Sequence, residues 1–103
     1  MTYNIAFEAL GDATRRQILD RLRGGPCSVT TLAAGLPVSR SAVSQHLKIL
    51  KDAGLVEDVA AGTRRIYRLN PAGLAALRDQ LDTYWQRALA GYADAVEAPA
   101  EED

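Results

Sequence analysis

Polar side chains that can hydrogen bond to another molecule recur at helical spacing between residues 40 and 48. They are Arg40, Ser41, Ser44, Gln45 and Lys48. Hydroxyl and amide groups match the donors and acceptors on the edges of DNA bases, while Arg and Lys bind guanine or backbone phosphate. The spacing therefore predicts a DNA-reading face, with Ser41, Ser44 and Gln45 on the bases and Arg40 and Lys48 on bases or flanking phosphates. The alternative is a helix face that is merely solvated.

Catalysis is a poor interpretation of the same segment. Ser39, Ser41 and Ser44 lie near His46, the one histidine of the chain, but all of them fall on or next to a single helix. Ser39 would need a base seven residues away on another face, and no strained, glycine-flanked serine is present. The chain also has no glycine-rich phosphate loop. We therefore expect no enzyme activity.

Metal ligands are sparse along the chain. Cys27 is the single cysteine and has no CxC or CxxC partner, and Asp79 and Asp82 stand three residues apart without a histidine. Metal centres need more ligands than this, so we expect no metal site and no cofactor. One cysteine also excludes an internal disulfide and fits a reducing compartment. For Cys27 itself, a small buried residue, a reactive thiol and half of an intersubunit disulfide stay open.

A capped amphipathic helix is predicted to carry the polar face. Ser39 can accept a hydrogen bond from an amide of the first turn, and Gly54 supplies the left-handed residue that commonly ends a helix. The inner side is an apolar stripe at helical spacing, made of Val43, Leu47 and Leu50. This stripe faces a core and leaves the polar residues outside.

The flanking segments complete a winged helix-turn-helix pattern. Before the polar helix, Ser28 is predicted to cap a short helix over residues 29–34, which residues 35–37 join to the next helix by a tight turn. After it, residues 55–60 and 64–69 are predicted strands joined around Gly62. Arg64 and Arg65 lie at the tip of this hairpin, where they can hold the DNA backbone. With two helices before residue 24 and a long one after Asn70, the predicted fold is mainly α with a small β-hairpin wing.

The charge distribution favours a nucleic-acid partner despite a net charge of -1. Residues 15–68 contain ten Lys or Arg and four Asp or Glu, whereas residues 1–14 carry -2 and residues 69–103 carry -5. A DNA-binding segment is expected to be basic, and a solvated mixture would not segregate its charges in this way.

A long apolar stripe along the last helix predicts a dimer. The stripe begins at Leu74 and continues at three- and four-residue spacing to Tyr92, and the helix from Pro71 to Tyr92 is roughly 33 Å long. A chain of 103 residues can hardly cover all of it, although packing within its own domain is the alternative. A twofold dimer would set two recognition helices roughly 34 Å apart. The predicted interface residues are Tyr3, Phe7, Leu77, Leu81, Tyr84, Trp85, Ala88 and Tyr92.

The domain plan is simple. Residues 1–92 are predicted to form one DNA-binding and dimerisation domain, and residues 93–103 an acidic, flexible C-terminal tail. No apolar run approaches the roughly 18 residues of a membrane span, and the N-terminus lacks a signal-peptide pattern. We therefore expect a cytoplasmic protein without a membrane partner.

Four stretches together resemble the ArsR/SmtB family of bacterial winged-helix repressors. They are FEALGDATRRQIL (7–19), SVTTLAAGLPVSRSAVSQHLKILKDAGLV (28–56), GTRRIYRL (62–69) and NPAGL (70–74). The resemblance implies a homodimeric, operator-binding transcriptional regulator, usually a repressor, and His46 matches the family's SxHL pattern. The chain departs from the family's metal sensors because it lacks their ligands.

The alternatives are a winged-helix module that binds a protein through the same face, and a thiol-responsive repressor sensing through Cys27. The signal also stays open: a small-molecule effector of unknown identity, a partner protein, or protein concentration alone.

Overall fold

The computed structural model describes residues 2–97, with side chains from residue 5 onward. Within this range the elements follow in the order α1 (Thr2–Leu10), α2 (Ala13–Leu22), β1 (Cys27–Ser28), α3 (Val29–Ala34), α4 (Arg40–Asp52), β2 (Val56–Ala61), β3 (Arg64–Leu69) and α5 (Pro71–Glu97). The predicted fold, mainly helical with a β-hairpin wing, is confirmed. None of the described helices is both long enough and apolar enough to span a bilayer.

Four helices begin at a capping side chain, and two of the caps, Ser28 and Ser39, were predicted. The side chains of Asp12, Ser28, Ser39 and Asn70 each accept a hydrogen bond from the backbone amide three residues on, at 3.0–3.4 Å. Each bond satisfies one of the amides that a helix leaves free in its first turn. The start of α4 is therefore set by Ser39, and its end by Gly54, whose φ of 80° is left-handed.

The strands form one antiparallel sheet in the order β1-β3-β2. In the hairpin, Val56 pairs with Leu69 and Ala61 with Arg64, so β2 and β3 are in register along their whole length. The strand β1 was not predicted from the sequence. A strand of two residues is too short to show an alternation of apolar and polar side chains. It forms because Cys27 pairs with Tyr67 of β3.

The helix-turn-helix, the wing and α2 enclose one core. Its largest fully buried side chains come from three helices, α2, α3 and α4, and from the segment before β2: Ile18, Leu32, Val43, Leu47, Leu50 and Leu55. The three α4 residues among them are the predicted inner stripe. Because α4 is anchored through that stripe, its opposite face is held outward.

The helix α5 divides into a packed half and a projecting half. Leu77 is only 5% exposed, and Leu74 and Leu81 pack against the core from partly buried positions. The assignment of Leu77 to the subunit interface is therefore corrected: the first turns of α5 still lie against the rest of the chain, so Leu77 belongs to its own core. Between Tyr84 and Glu97, the apolar side chains are exposed.

The helix also passes the predicted domain boundary. Residues 93–97 of the predicted tail continue α5, and residues 98–103 lie outside the described part of the chain. Tyr3 lies in α1, but its side chain falls outside the described ones, so its predicted interface role stays a prediction.

Candidate nucleic-acid interface

The outer face of α4 presents all five residues that the sequence selected. Arg40, Ser41, Ser44, Gln45 and Lys48 are exposed. Within residues 5–97, the side chains of Ser41, Ser44 and Gln45 form no hydrogen bond, so their donors and acceptors are available to a partner. Lys48 Nζ lies 3.1 Å from Asp52 Oδ2. Both side chains are exposed, and such an i,i+4 pair is weak enough to be exchanged for a phosphate.

A groove connects the start of α4 with the wing. It encloses about 270 Å³ and brings Arg40 of α4 beside Arg64 and Arg65 of β3, with the hydroxyl-bearing Thr30 and Thr63 in the same lining. In the part of the chain that the structure describes, Arg40 and Arg64 form no ion pair. The groove is thus cationic and lined with hydrogen-bond donors, which suits an anion such as a backbone phosphate.

Sequence reasoning missed the two threonines of this groove. Thr30 lies in the first turn of α3 and Thr63 in the turn between the strands, and each is an ordinary surface residue by local pattern. Only the approach of the wing to α3 and α4 places them together.

Arg65 is partly engaged inside the protein. Its Nη1 lies 2.6 Å from Asp58 Oδ2, while Lys51 Nζ, from the last turn of α4, lies 2.8 Å from Asp58 Oδ1. The hydrogen bond from Lys51 is the largest cause that holds the pKa of Asp58 below its ordinary value, and the hydrogen bond from Arg65 also lowers it, although burial opposes both. Arg65 is therefore held in a fixed position, and part of its charge is offset by Asp58. Asp58 was not predicted.

His46 lies toward the inner edge of α4. Arg15 Nη1 is 3.3 Å from His46 Nδ1, and Asp12 Oδ1 is 4.0 Å from the same nitrogen. Arg15 also donates from Nε to the carbonyl of Ala9 at 2.7 Å, at the end of α1. These contacts join the turn between α1 and α2 to the middle of α4. His46 therefore packs on the inner side of α4 and does not belong to its outer polar face.

The pKa of Asp12 is lowered in this cluster. The backbone amide of Arg15, which donates to the capping carboxylate, is the largest cause, and the charges of His46 and Arg15 act in the same direction against a cost from burial. The cap of α2 is therefore strongest when Asp12 is ionised.

In the described part of the chain, Cys27 and the acidic side chains do not converge on a common point. No group of three or more His, Cys, Asp or Glu side chains suited to a metal is present among the residues described. Cys27 is partly buried, and its Sγ donates to the carbonyl of Gly25 at 3.6 Å.

The projecting half of α5 carries an exposed apolar surface, called here the α5 face. Its members are Tyr84, Trp85, Leu89, Tyr92 and Val96, each 58–69% exposed. The rings of Tyr84 and Trp85 meet edge to face, with centroids 6.1 Å apart. A cavity of about 540 Å³ adjoins this face, with Phe7, Tyr84 and Ala88 in its lining. Contiguous apolar surface of this kind marks an interaction site.

Comparisons with known proteins agree with this geometry. A family model described as a helix-turn-helix domain matches residues 10–59, which include α2, α3 and α4. The HTH-type transcriptional regulator Rv2034 of Mycobacterium tuberculosis is 58% identical over 97 residues, covering 94% of this chain and 91% of that protein.

Two solved structures extend the likeness to the wing and α5. An ArsR-like transcriptional regulator from Rhodococcus sp. RHA1 is 34% identical with a TM-score of 0.74, over 96% of this chain and 95% of that one. A homodimeric winged helix-turn-helix DNA-binding domain from Mycobacterium bovis, described as a possible ArsR-family regulator, is 29% identical with a TM-score of 0.67, over 96% of this chain and 88% of that one. The relatives are regulators of transcription, not enzymes. With this sequence likeness and this fold, the chain belongs to the ArsR/SmtB family of winged helix-turn-helix DNA-binding transcriptional regulators.

Proposed function

We propose that the protein is a dimeric repressor that occupies a palindromic operator overlapping a promoter. The observation that carries this proposal is the outer face of α4, where Ser41, Ser44 and Gln45 have no partner within the described chain, next to a groove lined by Arg40 and Arg64. A face that offers base-reading groups beside phosphate-binding cations suits a DNA major groove and its flanks.

Each group has its own part in the proposed complex. Ser41, Ser44 and Gln45 contact base edges, and Lys48 reaches a base or a flanking phosphate. Arg40 shares its groove with the wing, which favours the backbone over a base as its target. Arg64 and Arg65 hold the backbone from the wing, with Arg64 the less restrained of the two.

A second copy of the chain is the proposed partner of the α5 face. Aromatic and aliphatic side chains that are 58–69% exposed cost free energy in water, and burying them against a symmetry mate removes this cost. The relative from Mycobacterium bovis that is described as homodimeric supports the formation of a dimer. Two recognition helices about one DNA turn apart would then match a palindrome.

Repression follows from occupancy, because a dimer bound across a promoter excludes the polymerase. The site of action is the cytoplasm, where bacterial DNA resides. A small organic effector is proposed for the cavity beside the α5 face, since about 540 Å³ falls in the range of ligand pockets.

The proposal is tested by selecting genomic fragments that the purified full chain binds, then measuring their affinity against random duplex as salt is raised. We expect a palindromic site, a clear preference over random DNA, and a log–log salt slope of about -0.9 for each phosphate neutralised. A protein that shows no preference at low ionic strength would instead be a protein-interaction module.

A further inference from the structure

One carboxylate joins α4, the proposed recognition helix, to the wing formed by β2 and β3. Asp58 lies in β2, and its side chain is only 5% exposed. It pairs with Lys51 Nζ at 2.8 Å and Arg65 Nη1 at 2.6 Å, so residues from the end of α4, from β2 and from β3 meet at a single group. An exposed pair between two long side chains contributes little, but a shielded carboxylate with two charge-assisted hydrogen bonds holds its partners in a defined geometry.

The register of the hairpin explains how the pair forms. Asp58 lies opposite Tyr67 in the β2–β3 ladder, and Arg65 opposite Ala60. Arg65 is thus the diagonal neighbour of Asp58 on the same face of the sheet, within reach of a long side chain. Lys51 reaches the same face from α4, so the contact fixes the hairpin against the helix as well as strand against strand.

The contact also divides the cations of the DNA-facing side into two kinds. Arg40 and Arg64 form no ion pair within residues 5–97, whereas Lys51 and Arg65 share the negative charge of Asp58. The paired cations contribute less to general attraction for phosphate than two free ones would.

We propose that Asp58 is a positioning residue for DNA binding, which sets the angle between wing and recognition helix by holding Lys51 and Arg65 and so favours the operator over other DNA. This inference rests on the proposed function. It assigns operator preference partly to a residue that touches no DNA, because α4 and the wing must engage one duplex together.

The test is Asp58→Asn in the full chain, which keeps the size of the side chain and removes its charge. Affinities for the selected operator and for random duplex are measured over a salt series. We expect the ratio of operator to random affinity to fall about tenfold, since a loosened wing no longer fits one geometry. Random-duplex affinity should rise, with a salt slope steeper by about 0.9 to 1.8 as one or two freed cations reach phosphates.

Glu57→Gln is the matched control. Glu57 Oε2 accepts a hydrogen bond from Arg68 Nε at 2.8 Å, and this pair links β2 to β3 without touching α4. The substitution changes the charge by the same amount at the neighbouring position. We expect random and operator affinities to rise together, which leaves their ratio unchanged. An equal loss of preference in both variants would mean that charge alone is responsible, and the proposed role of Asp58 would be wrong.

Lys51→Met provides a second, independent variant. It removes the ion pair between Lys51 of α4 and Asp58 but keeps the Arg65–Asp58 pair. The side chain of Lys51 is 52% exposed, so its loss leaves the core intact. Preference for the operator should fall without a steeper salt slope. If Asp58→Asn lacks a cooperative thermal transition, the test rests on Lys51→Met. A ratio of operator to random affinity equal to that of the wild type in this variant overturns the proposal. Wild-type protein without operator preference would refute the proposed function itself, whereas wild-type preference with unaffected variants refutes only the role of Asp58.

Discussion

Gly73, in the first turn of α5, lies directly against the carbonyl group of Gly54, which follows the end of α4. A Cβ atom built on Gly73 would overlap the Gly54 carbonyl oxygen. Because that neighbour is backbone, it cannot turn aside as a flexible side chain would. The start of the long helix and the end of the recognition helix are therefore in backbone contact.

Gly73→Ala is expected to destabilise the fold by about 1 to 3 kcal/mol, because the new methyl group forces two backbone segments apart. The matched control is Gly91→Ala in the same helix, where a Cβ would meet nothing within 4 Å. That change should stabilise by roughly 0.5 to 1 kcal/mol through helix propensity. Urea denaturation at one fixed protein concentration measures both, and equal effects would contradict the close approach.

Gln45→Ala should relax base preference. Losing an amide that reads a base edge is expected to cost about 1 to 3 kcal/mol on the operator and little on random duplex. Arg64→Ala should weaken binding to all sequences alike and reduce the salt slope by about 1, since Arg64 is assigned to the backbone. Competition binding against duplexes with single base changes separates the two patterns. Binding that survives both changes intact would disprove these contacts.

Leu89→Glu should prevent dimerisation. Leu89 is 60% exposed on the α5 face, and burying a carboxylate there without a partner is costly. Ala90→Glu is the control: it adds the same charge one residue on, about 100° around the helix. Sedimentation should give a monomer for the first variant and a dimer for the second. Loss of operator affinity should accompany the monomer only.

Acid is expected to weaken the fold through Asp12 and Asp58, whose pKa values are both below the ordinary 3.8. A depressed folded-state pKa gives stability that is present above the unfolded value and is lost as pH falls through the folded one. The free energy of unfolding should therefore decline from about pH 5 to pH 3.

Asp12→Asn isolates one of these groups, because asparagine caps a helix about as well as aspartate. This variant should lose less stability than the wild type over the same pH range. Asp20→Asn, in the same helix with a carboxylate that is 68% exposed, should follow the wild type. Denaturation series at several pH values provide the comparison, and parallel curves for Asp12→Asn and wild type would count against the assignment.

The recognition helix could be predicted almost entirely from the sequence, because its signals are local. Ser39, the inner stripe and Gly54 act within 16 residues of one another, and the structure uses each as predicted. The cap of α3 at Ser28 could be predicted for the same reason. Local hydrogen bonds and helical periodicity need no knowledge of the tertiary fold.

The remaining features depend on contacts between elements. Asp58 is seven residues from Arg65, and only the hairpin register makes them neighbours. Arg40 and Arg64 are still further apart in sequence and meet because the wing folds toward α4. Along α5 the periodicity is continuous, so buried Leu77 and exposed Leu89 look alike until the edge of the core is known.

The junction between α4 and α5 has a mechanical consequence for the proposed dimer. Besides the Gly73–Gly54 contact, the amide of Asn70 donates to the carbonyl of Leu55 at 3.0 Å. The 27-residue α5 is about 40 Å long. In the proposed dimer, its first turn contacts the end of α4, and its second half packs against α5 of the other copy. A change in the angle between the two α5 helices of the dimer would therefore move each α4 as a rigid body. The distance between the two α4 helices would change, while the structure of each α4 would stay the same.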